Sequence, residues 1–274
     1  MWASTKAELH KMVRRGANWF MLAIALVLGL TFAYLVPYAG YVGGDSDIPS
    51  ADRGLEALLP AEFVGNSIGG LPFFTGAISL ILGALAIGNE YGWGTWKTVL
   101  TQGPSRLTVF SGKLAALTVA NLVLVASGIA TSAAASAIIA SVEDQAMDWP
   151  AFADVALGLG GGWLIAMMWT MMGVTLAVTT RGVAVAVGIG LVWMLAVQNL
   201  LVSIAAPLID WIADAQEWLP GPVAGSLVES LGANPNTPGV AELVSDGHAL
   251  TVICGYLLLF GVLSGVLLRR RDVV

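Results

Sequence analysis

The stretch that decides the fold is ADVALGLGGGWLIAMMWTMMGVTLAVT, residues 153–179. Its single charged residue, Asp154, stands near the beginning, and the remainder is apolar apart from glycine and threonine. A helix needs about 20 such residues to cross the hydrocarbon core of a bilayer. The stretch therefore predicts a membrane-spanning helix rather than a core helix of a soluble domain.

The same pattern recurs along the chain. Runs rich in Gly, Ala, Val and Leu favour helices over the strands of a membrane barrel, in which polar and apolar residues alternate over about ten positions. The six predicted spans cover residues 18–38, 71–89, 114–142, 153–179, 182–208 and 249–268. We expect an all-α membrane protein with one transmembrane domain over residues 1–274.

The composition agrees with this class. The chain has 274 residues, 57% of them apolar and 11% charged, and its mean hydropathy is +0.81, whereas a soluble domain has about 45–50% apolar and about 25% charged residues. This excludes an ordinary soluble enzyme, a disordered chain and a nucleic-acid binder. The only cysteine, Cys254, excludes an internal disulfide and a cysteine cage for zinc or iron–sulfur clusters.

The charges separate by side in a six-span topology. One side holds 11 of the 12 basic and three of the 18 acidic residues, a net charge of +8; the other holds Arg53 and 15 acidic residues, a net charge of −14, which together give −6. The positive-inside rule places the basic side in the cytoplasm. We therefore predict cytoplasmic termini, and a composition rich in Ala, Gly and Val and poor in Lys favours a bacterial cell membrane.

Two segments outside the spans are amphipathic. Residues 1–15 place Trp2 and Val13 toward lipid and their basic residues toward anionic headgroups, which predicts an interfacial helix; a basic flank that only sets topology is the alternative. Apolar residues over 208–219 lie on one helical face and predict a short extracellular helix before the last span, anchored by Trp211 and Trp218. The prolines that follow indicate a structured turn region or a flexible cap.

The sequence lacks the side chains that catalysis or cofactor binding would need. Gly112-Lys113 is followed by Leu114 and so is not a phosphate-binding Walker A motif. The two histidines, His10 and His248, fall on opposite sides of the membrane. We therefore predict that the chain is not an enzyme and binds no metal.

Polar residues inside the spans are few and almost all uncharged. Ion-driven transporters usually keep acidic or basic groups inside the membrane, so their absence argues for hydrophobic or amphipathic cargo. Asn121, Gln198 and Asn199 are candidates for a substrate path. Joining helices by hydrogen bonds is the more common role of such residues.

One predicted cytoplasmic segment, residues 90–113, is unusual for a connection. It includes most of GNEYGWGTWKTVLTQGPSRL, residues 88–107, which is aromatic and carries Glu90, Lys97 and Arg106. Residues 95–102 can form a short helix, which Pro104 ends. Such a helix, with its charges toward the cytoplasm, would be a docking surface for a soluble partner; an ordinary connecting loop is the alternative.

This segment resembles the signature of ABC-2 type permeases, in which a Glu, an aromatic residue, Gly-Thr, a Leu and a Pro-x-x-Arg-like turn precede a Lys that enters the third span. The matching residues are Glu90, Tyr91, Gly94, Thr95, Leu100, Pro104, Ser105, Arg106 and Lys113, and Trp96 lies among them. The resemblance implies that these residues couple the chain to separate ABC ATPase subunits. It also implies a second permease subunit, identical or homologous, and ATP with Mg²⁺ on the ATPase rather than any cofactor in this chain.

The leading hypothesis is therefore the membrane subunit of an ATP-driven exporter, in which Glu90 and Arg106 make the polar contacts that transmit motion. A membrane-anchor subunit without a transport role is the alternative. An intramembrane enzyme acting on lipids is disfavoured because no His/Asp/Ser set or carboxylate pair gathers near one membrane face.

Overall fold

The computed structural model describes residues 2–44, 51 and 53–270, which are mostly helical and include no strand. The helices follow one another as α1 (Trp2–Arg14), α2 (Gly16–Gly43), α3 (Phe63–Ile68), α4 (Phe74–Gly92), α5 (Thr95–Thr101), α6 (Arg106–Val142), α7 (Phe152–Thr180), α8 (Val183–Ala205), α9 (Asp210–Gln216), α10 (Pro220–Ser230) and α11 (Asp246–Arg270). Two short 3₁₀ turns, Glu56–Leu58 and Pro60–Glu62, precede α3.

Six of these helices are long and apolar enough to cross a membrane: α2, α4, α6, α7, α8 and α11. This confirms the predicted all-α class and the number of spans. The helix that decided the fold, α7, is also the most enclosed, since 78% of its most apolar stretch is buried against 17–22% for α2, α6, α8 and α11.

The centre of the bundle is the pair α4 and α7. Glycines let their backbones approach closely: a Cβ on Gly83 would overlap the carbonyl oxygen of Thr170, and one on Gly173 would overlap that of Leu80. Small residues at helix contacts are the usual route to tight packing in membranes. Trp169 and Met168 of α7 are fully buried beside this contact.

The bundle has two chemically different ends. The basic end, defined by residues 2–15, residues 93–113, the α7–α8 turn and the last turn of α11, holds ten basic residues. The acidic end, defined by the connections before α4, between α6 and α7 and between α8 and α11, holds the described acidic residues of the predicted outer loops and Arg53. Arg271, Asp45, Asp47 and Asp52 lie outside the described residues.

The first span is longer than predicted. The predicted end was residue 38, but α2 continues to Gly43 with a π-helical stretch over Thr31–Leu35. There the Val36 N–H bonds to the Thr31 carbonyl five residues back. This wider turn precedes Pro37, which has no N–H to donate, so the helix continues past the proline.

The predicted segment 90–113 is only partly a connection. Glu90 still lies in α4, the second span, which ends at Gly92. Arg106 is the first residue of α6, eight residues before the predicted start of the third span. The Ser105 side chain accepts a hydrogen bond from Thr108 N at 3.2 Å and so caps α6. At 37 residues α6 is about 55 Å long and extends beyond the membrane core.

The acidic end is more ordered than the prolines suggested. A short helix, α9, lies within the predicted segment 208–219 and is followed by a second helix, α10, whose Val223, Ala224 and Val228 are buried in the core. Pro220 and Pro222 stand in its first turn, where the missing N–H groups have no helical acceptor to lose. The alternative of a flexible cap over these residues is therefore wrong.

Candidate coupling site

The N-terminal helix α1 lies directly against the start of α6. At Gly112 the fit is close enough that an added Cβ would overlap the Ser4 hydroxyl. Thr5 is buried in the same contact. Part of the predicted interfacial helix is therefore packed on protein rather than on headgroups, and this places its polar residues against two spans.

Four charged side chains meet there in a closed ring, which we call the ion ring: Glu8, Lys11, Glu90 and Lys113. Lys113 Nζ lies 2.8 Å from Glu90 Oε1 and 2.9 Å from Glu8 Oε2. Lys11 Nζ lies 2.6 Å from Glu8 Oε1 and 2.9 Å from Glu90 Oε1. Each cation contacts both carboxylates, so the ring has no net charge and joins α1, α4 and α6.

The ion ring is mostly sealed from water. The side chains of Glu90 and Lys113 are 3% and 2% exposed. The side chain of Lys11, on the open side of the ring, is 36% exposed. Burial opposes the charge of Lys11, but the carboxylates of Glu8 and Glu90 outweigh it and raise the pKa of Lys11 above its usual value. Lys11 therefore stays protonated across the physiological range.

The short helix α5 rests on this ring. Gly94 adopts a left-handed conformation at φ +65°, which turns the chain from α4 into α5. The Thr95 hydroxyl then donates to Glu90 Oε2. Trp96 is 2% exposed, with its ring 5.9 Å from Lys113 Nζ and 5.9 Å from the Tyr91 ring. The inner face of α5 is thus fixed to the ends of two spans.

The other face of α5 is open. The Trp93 ring is 63% exposed and carries the Arg15 guanidinium 5.0 Å from its centroid. The exposed residues of this face, which we call the docking face, are Trp93, Lys97, Thr98, Thr101 and Gln102. These side chains are accessible from outside the bundle.

The predicted coupling residues differ in exposure. Glu90, Lys113 and Trp96 are buried, and Tyr91, Thr95, Leu100, Pro104 and Arg106 are half-buried, while Gly94 is exposed. Glu90 and Lys113 lie outside the predicted short helix, and each is paired with an opposite charge inside the bundle. These two residues support the docking face from beneath.

Arg106 connects the segment to the last span. Its Nη1 donates to the Leu268 carbonyl at 3.2 Å, in the last turn of α11. A cation at this position also opposes the negative end of the helix dipole. The C-terminal helix is thereby joined to the beginning of α6.

Sequence reasoning missed two members of the site. Lys11 was predicted to face anionic lipid headgroups, and no role was predicted for Glu8. A signal existed: only three acidic residues fall on the predicted cytoplasmic side, and two of them, Glu8 and Glu90, are in the ion ring.

The candidates for a substrate path make separate contacts. Asn121 is fully buried and donates to Thr170 Oγ1 at 3.0 Å, which joins α6 to α7. Gln198 accepts from Gly221 N at 2.8 Å, and Asn199 donates to Leu195 O within its own helix. The bonds of Asn121 and Gln198 match the helix-joining alternative.

The described residues contain no group of three or more His, Cys, Asp or Glu side chains placed to hold a metal ion. The described acidic residues of the acidic end are spread over separate connections. The cation-rich chemistry of the molecule is instead concentrated at the basic end, around α5.

Comparison with known proteins identifies the family of the chain. A family model described as "ABC-2 family transporter protein" matches residues 5–197, which include the ion ring, α5, the long helices α2, α4, α6 and α7, and most of α1 and α8. No curated protein matches the chain. The match covers well over half of the sequence, and the chain, a multi-pass membrane protein, belongs to the ABC-2 transporter family.

Proposed function

We propose that the chain is the permease subunit of an ATP-driven exporter. Separate ABC ATPase subunits bind ATP and Mg²⁺, and this chain pairs with a second permease subunit, identical or homologous. The cargo is hydrophobic or amphipathic. The observation that carries the proposal is the docking face on α5, a helix exposed on one side and fixed on the other to two spans through Glu90.

The geometry supports a mechanical role for α5. When the ATPase subunits close on ATP, a partner bound to the docking face displaces α5. Because Thr95 and Trp96 are held by the ion ring, α4, α6 and α1 move with it as a rigid body. Arg106 carries the motion to α11. The ion ring is the positioning element of this transmission, and the docking face makes the contact.

The orientation is part of the proposal: the basic end faces the cytoplasm of a bacterial cell. The distribution of basic residues supports it. In a background where Cys254 is replaced by serine, we expect Lys97→Cys to resist a membrane-impermeant thiol reagent in intact cells and to react after permeabilisation. Asp214→Cys, on α9, should react in intact cells. The reverse pattern would contradict this orientation.

We expect Lys97→Glu and Trp93→Ala to abolish co-purification of a co-expressed partner ATPase, together with any ATPase stimulation. Both side chains are exposed, so folding should be unchanged. A charge reversal at a contact costs binding through repulsion as well as through the lost attraction. Pull-down of the tagged chain followed by an ATP hydrolysis assay measures the effect.

Arg181→Glu is the matched control, since Arg181 is exposed at the same end in the α7–α8 turn. It should bind the ATPase as wild type does. Glu90→Ala and Arg106→Ala test transmission instead: we expect retained binding with ATP hydrolysis uncoupled from transport. Normal coupled transport in both variants would refute their assignment.

A membrane anchor without a transport role is the second candidate. It is favoured by the ordered acidic end, where Trp211 and Trp218 are 70% and 60% exposed beside the buried helix α10. An anchor needs no ATPase. A chain that captures no ATPase in the pull-down, and whose docking-face variants keep full biological activity, is an anchor rather than a permease.

A further inference from the structure

An apolar groove lies between α1 and α2 near the basic end, and we call it the α1–α2 groove. Its floor is formed by the buried side chains of Ile78 and Leu82 from α4 and of Leu124 from α6. Its rim includes Val13 and Trp19, which are 60% and 55% exposed. The groove therefore opens on the outer surface of the bundle, beside the first span.

The lining of the groove favours an apolar occupant. Asn18 and Trp19 are its only polar side chains, and both are bonded within the protein. The Asn18 amide donates to Met12 O at 2.8 Å, and the Trp19 indole donates to Val13 O at 2.7 Å. The other lining side chains are aliphatic or methionine. Because an enclosed water needs several polar partners, hydrocarbon fits this lining better than water does.

The size of the groove suits a short piece of hydrocarbon chain. Its volume is about 150 Å³. An apolar protein cavity of roughly this volume holds one benzene molecule, which is about six carbons. Since the groove is open along the surface, an acyl chain can place a segment of that size inside and leave its remaining carbons in the bilayer.

Two arginines lie at the corner where the groove begins. Arg14 is the last residue of α1 and Arg15 joins it to α2, while Val13 and Asn18 on either side of them line the groove. Arg14 is exposed, and the Arg15 guanidinium lies over the exposed Trp93 ring. The acidic residues that the structure describes at or near this end both belong to the ion ring. A head group at this corner is therefore surrounded by positive charge.

We infer that the α1–α2 groove binds one acyl chain of an anionic phospholipid, taken from the leaflet at the basic end, with the lipid phosphate beside Arg14 and Arg15. Basic residues next to a membrane attract anionic head groups, and the apolar floor of the groove favours the chain. The guanidinium fork fits a phosphate through two parallel hydrogen bonds. The charge selects the lipid, and the groove fixes its position.

The bound lipid braces α1 from the side opposite the ion ring. Glu8 and Lys11 of α1 belong to the ion ring, whereas Leu9 and Met12 line the groove. α1 therefore lies between the ion ring and the lipid chain, and a filled groove holds it more firmly against α6. The inference is independent of the proposed function, since it needs neither an ATPase nor a particular orientation in the membrane.

Native mass spectrometry of the purified full chain in a neutral detergent tests the binding. The probes are dioleoyl phosphatidylglycerol and dioleoyl phosphatidylcholine, which carry the same chains on an anionic and a zwitterionic head group. We expect the first to bind at least about tenfold more tightly, because two arginines act on its net charge. The double variant Arg14→Gln with Arg15→Gln should remove this preference. Arg181→Gln, at an exposed arginine of the same end, should keep it.

A second variant tests the groove without touching the charges. Val123 lines the groove and is 49% exposed, so the larger ring of Val123→Phe can occupy the opening. Val185→Phe is the matched control, at a valine of α8 that is 57% exposed and lies outside the groove. We expect Val123→Phe to weaken binding of phosphatidylglycerol at least about fivefold, because the chain loses its apolar contacts. Val185→Phe should bind this lipid as wild type does.

Hydrogen–deuterium exchange in nanodiscs tests the bracing of α1. Backbone amides of residues 9–13 should exchange more slowly in phosphatidylglycerol than in phosphatidylcholine, and Val123→Phe should lose this difference while Val185→Phe keeps it. Equal binding of the two lipids by wild type, or undiminished binding of phosphatidylglycerol by Val123→Phe, overturns the inference. So does a mass of two chains that Val123→Phe abolishes, since a second copy would then occupy the groove. Equal exchange in the two lipids overturns the bracing.

Discussion

Lys113→Met is expected to destabilise the protein by about 3–5 kcal/mol, because removing one partner of a buried ion pair leaves an uncompensated charge inside. Lys113 is 2% exposed and bonds to both Glu8 and Glu90, so its loss leaves two carboxylates sharing Lys11 alone. The measurement is reversible unfolding in mixed micelles, followed by tryptophan fluorescence.

A double variant separates this effect from lost packing. Glu90→Gln together with Lys113→Met removes one charge of each sign and leaves the pair of Glu8 and Lys11, whose atoms are 2.6 Å apart. Most of the stability should return, since a neutral replacement of a buried pair is often tolerated. Lys97→Met, at an exposed lysine of the same end, should change stability by no more than about 0.5 kcal/mol. Equal unfolding of Lys97→Met and Lys113→Met would show that the ion ring does not stabilise the fold.

The spans could be predicted from sequence because each is specified locally. A run such as residues 153–179 is apolar over its whole length, and no distant residue is needed to recognise it. The errors lie at the ends of the spans, where charged residues predict a connection but capping residues predict a helix. Residues 106–113 read as connection because Arg106 and Lys113 are charged, yet Ser105 caps a helix there and both cations find partners inside the protein.

The ion ring could not be predicted in the same way. Glu8 and Lys113 are 105 positions apart in the chain, and only the packing of α1 on α6 brings them together. A lysine on an amphipathic N-terminal helix suggests headgroups by every local rule. The sequence did contain one exception: Arg53 is the single basic residue on the acidic side, and the structure places it at a cavity beside Phe32 and Phe74.

Gly83→Ala and Gly173→Ala are each expected to destabilise the bundle by about 1–3 kcal/mol, the usual cost of forcing an extra carbon into a packed core. In each case the added Cβ meets a backbone carbonyl of the opposite helix, Thr170 for Gly83 and Leu80 for Gly173. A backbone atom cannot turn away as a side chain can, so the loss should fall in the upper part of this range. Unfolding in mixed micelles again measures it.

The control must be a glycine in a helix with free space around it. Gly265 of α11 meets nothing within 4 Å when a Cβ is added, so Gly265→Ala should be neutral or stabilising by about 0.5–1 kcal/mol, the helix preference of Ala over Gly. The double variant Gly83→Ala with Gly173→Ala should cost less than the sum of the two, because the first separation of α4 and α7 makes room for the second methyl group. If Gly83→Ala and Gly265→Ala unfolded alike, α4 and α7 would not meet through their backbones. The close approach of α4 and α7 at the centre of the bundle would then have to be abandoned.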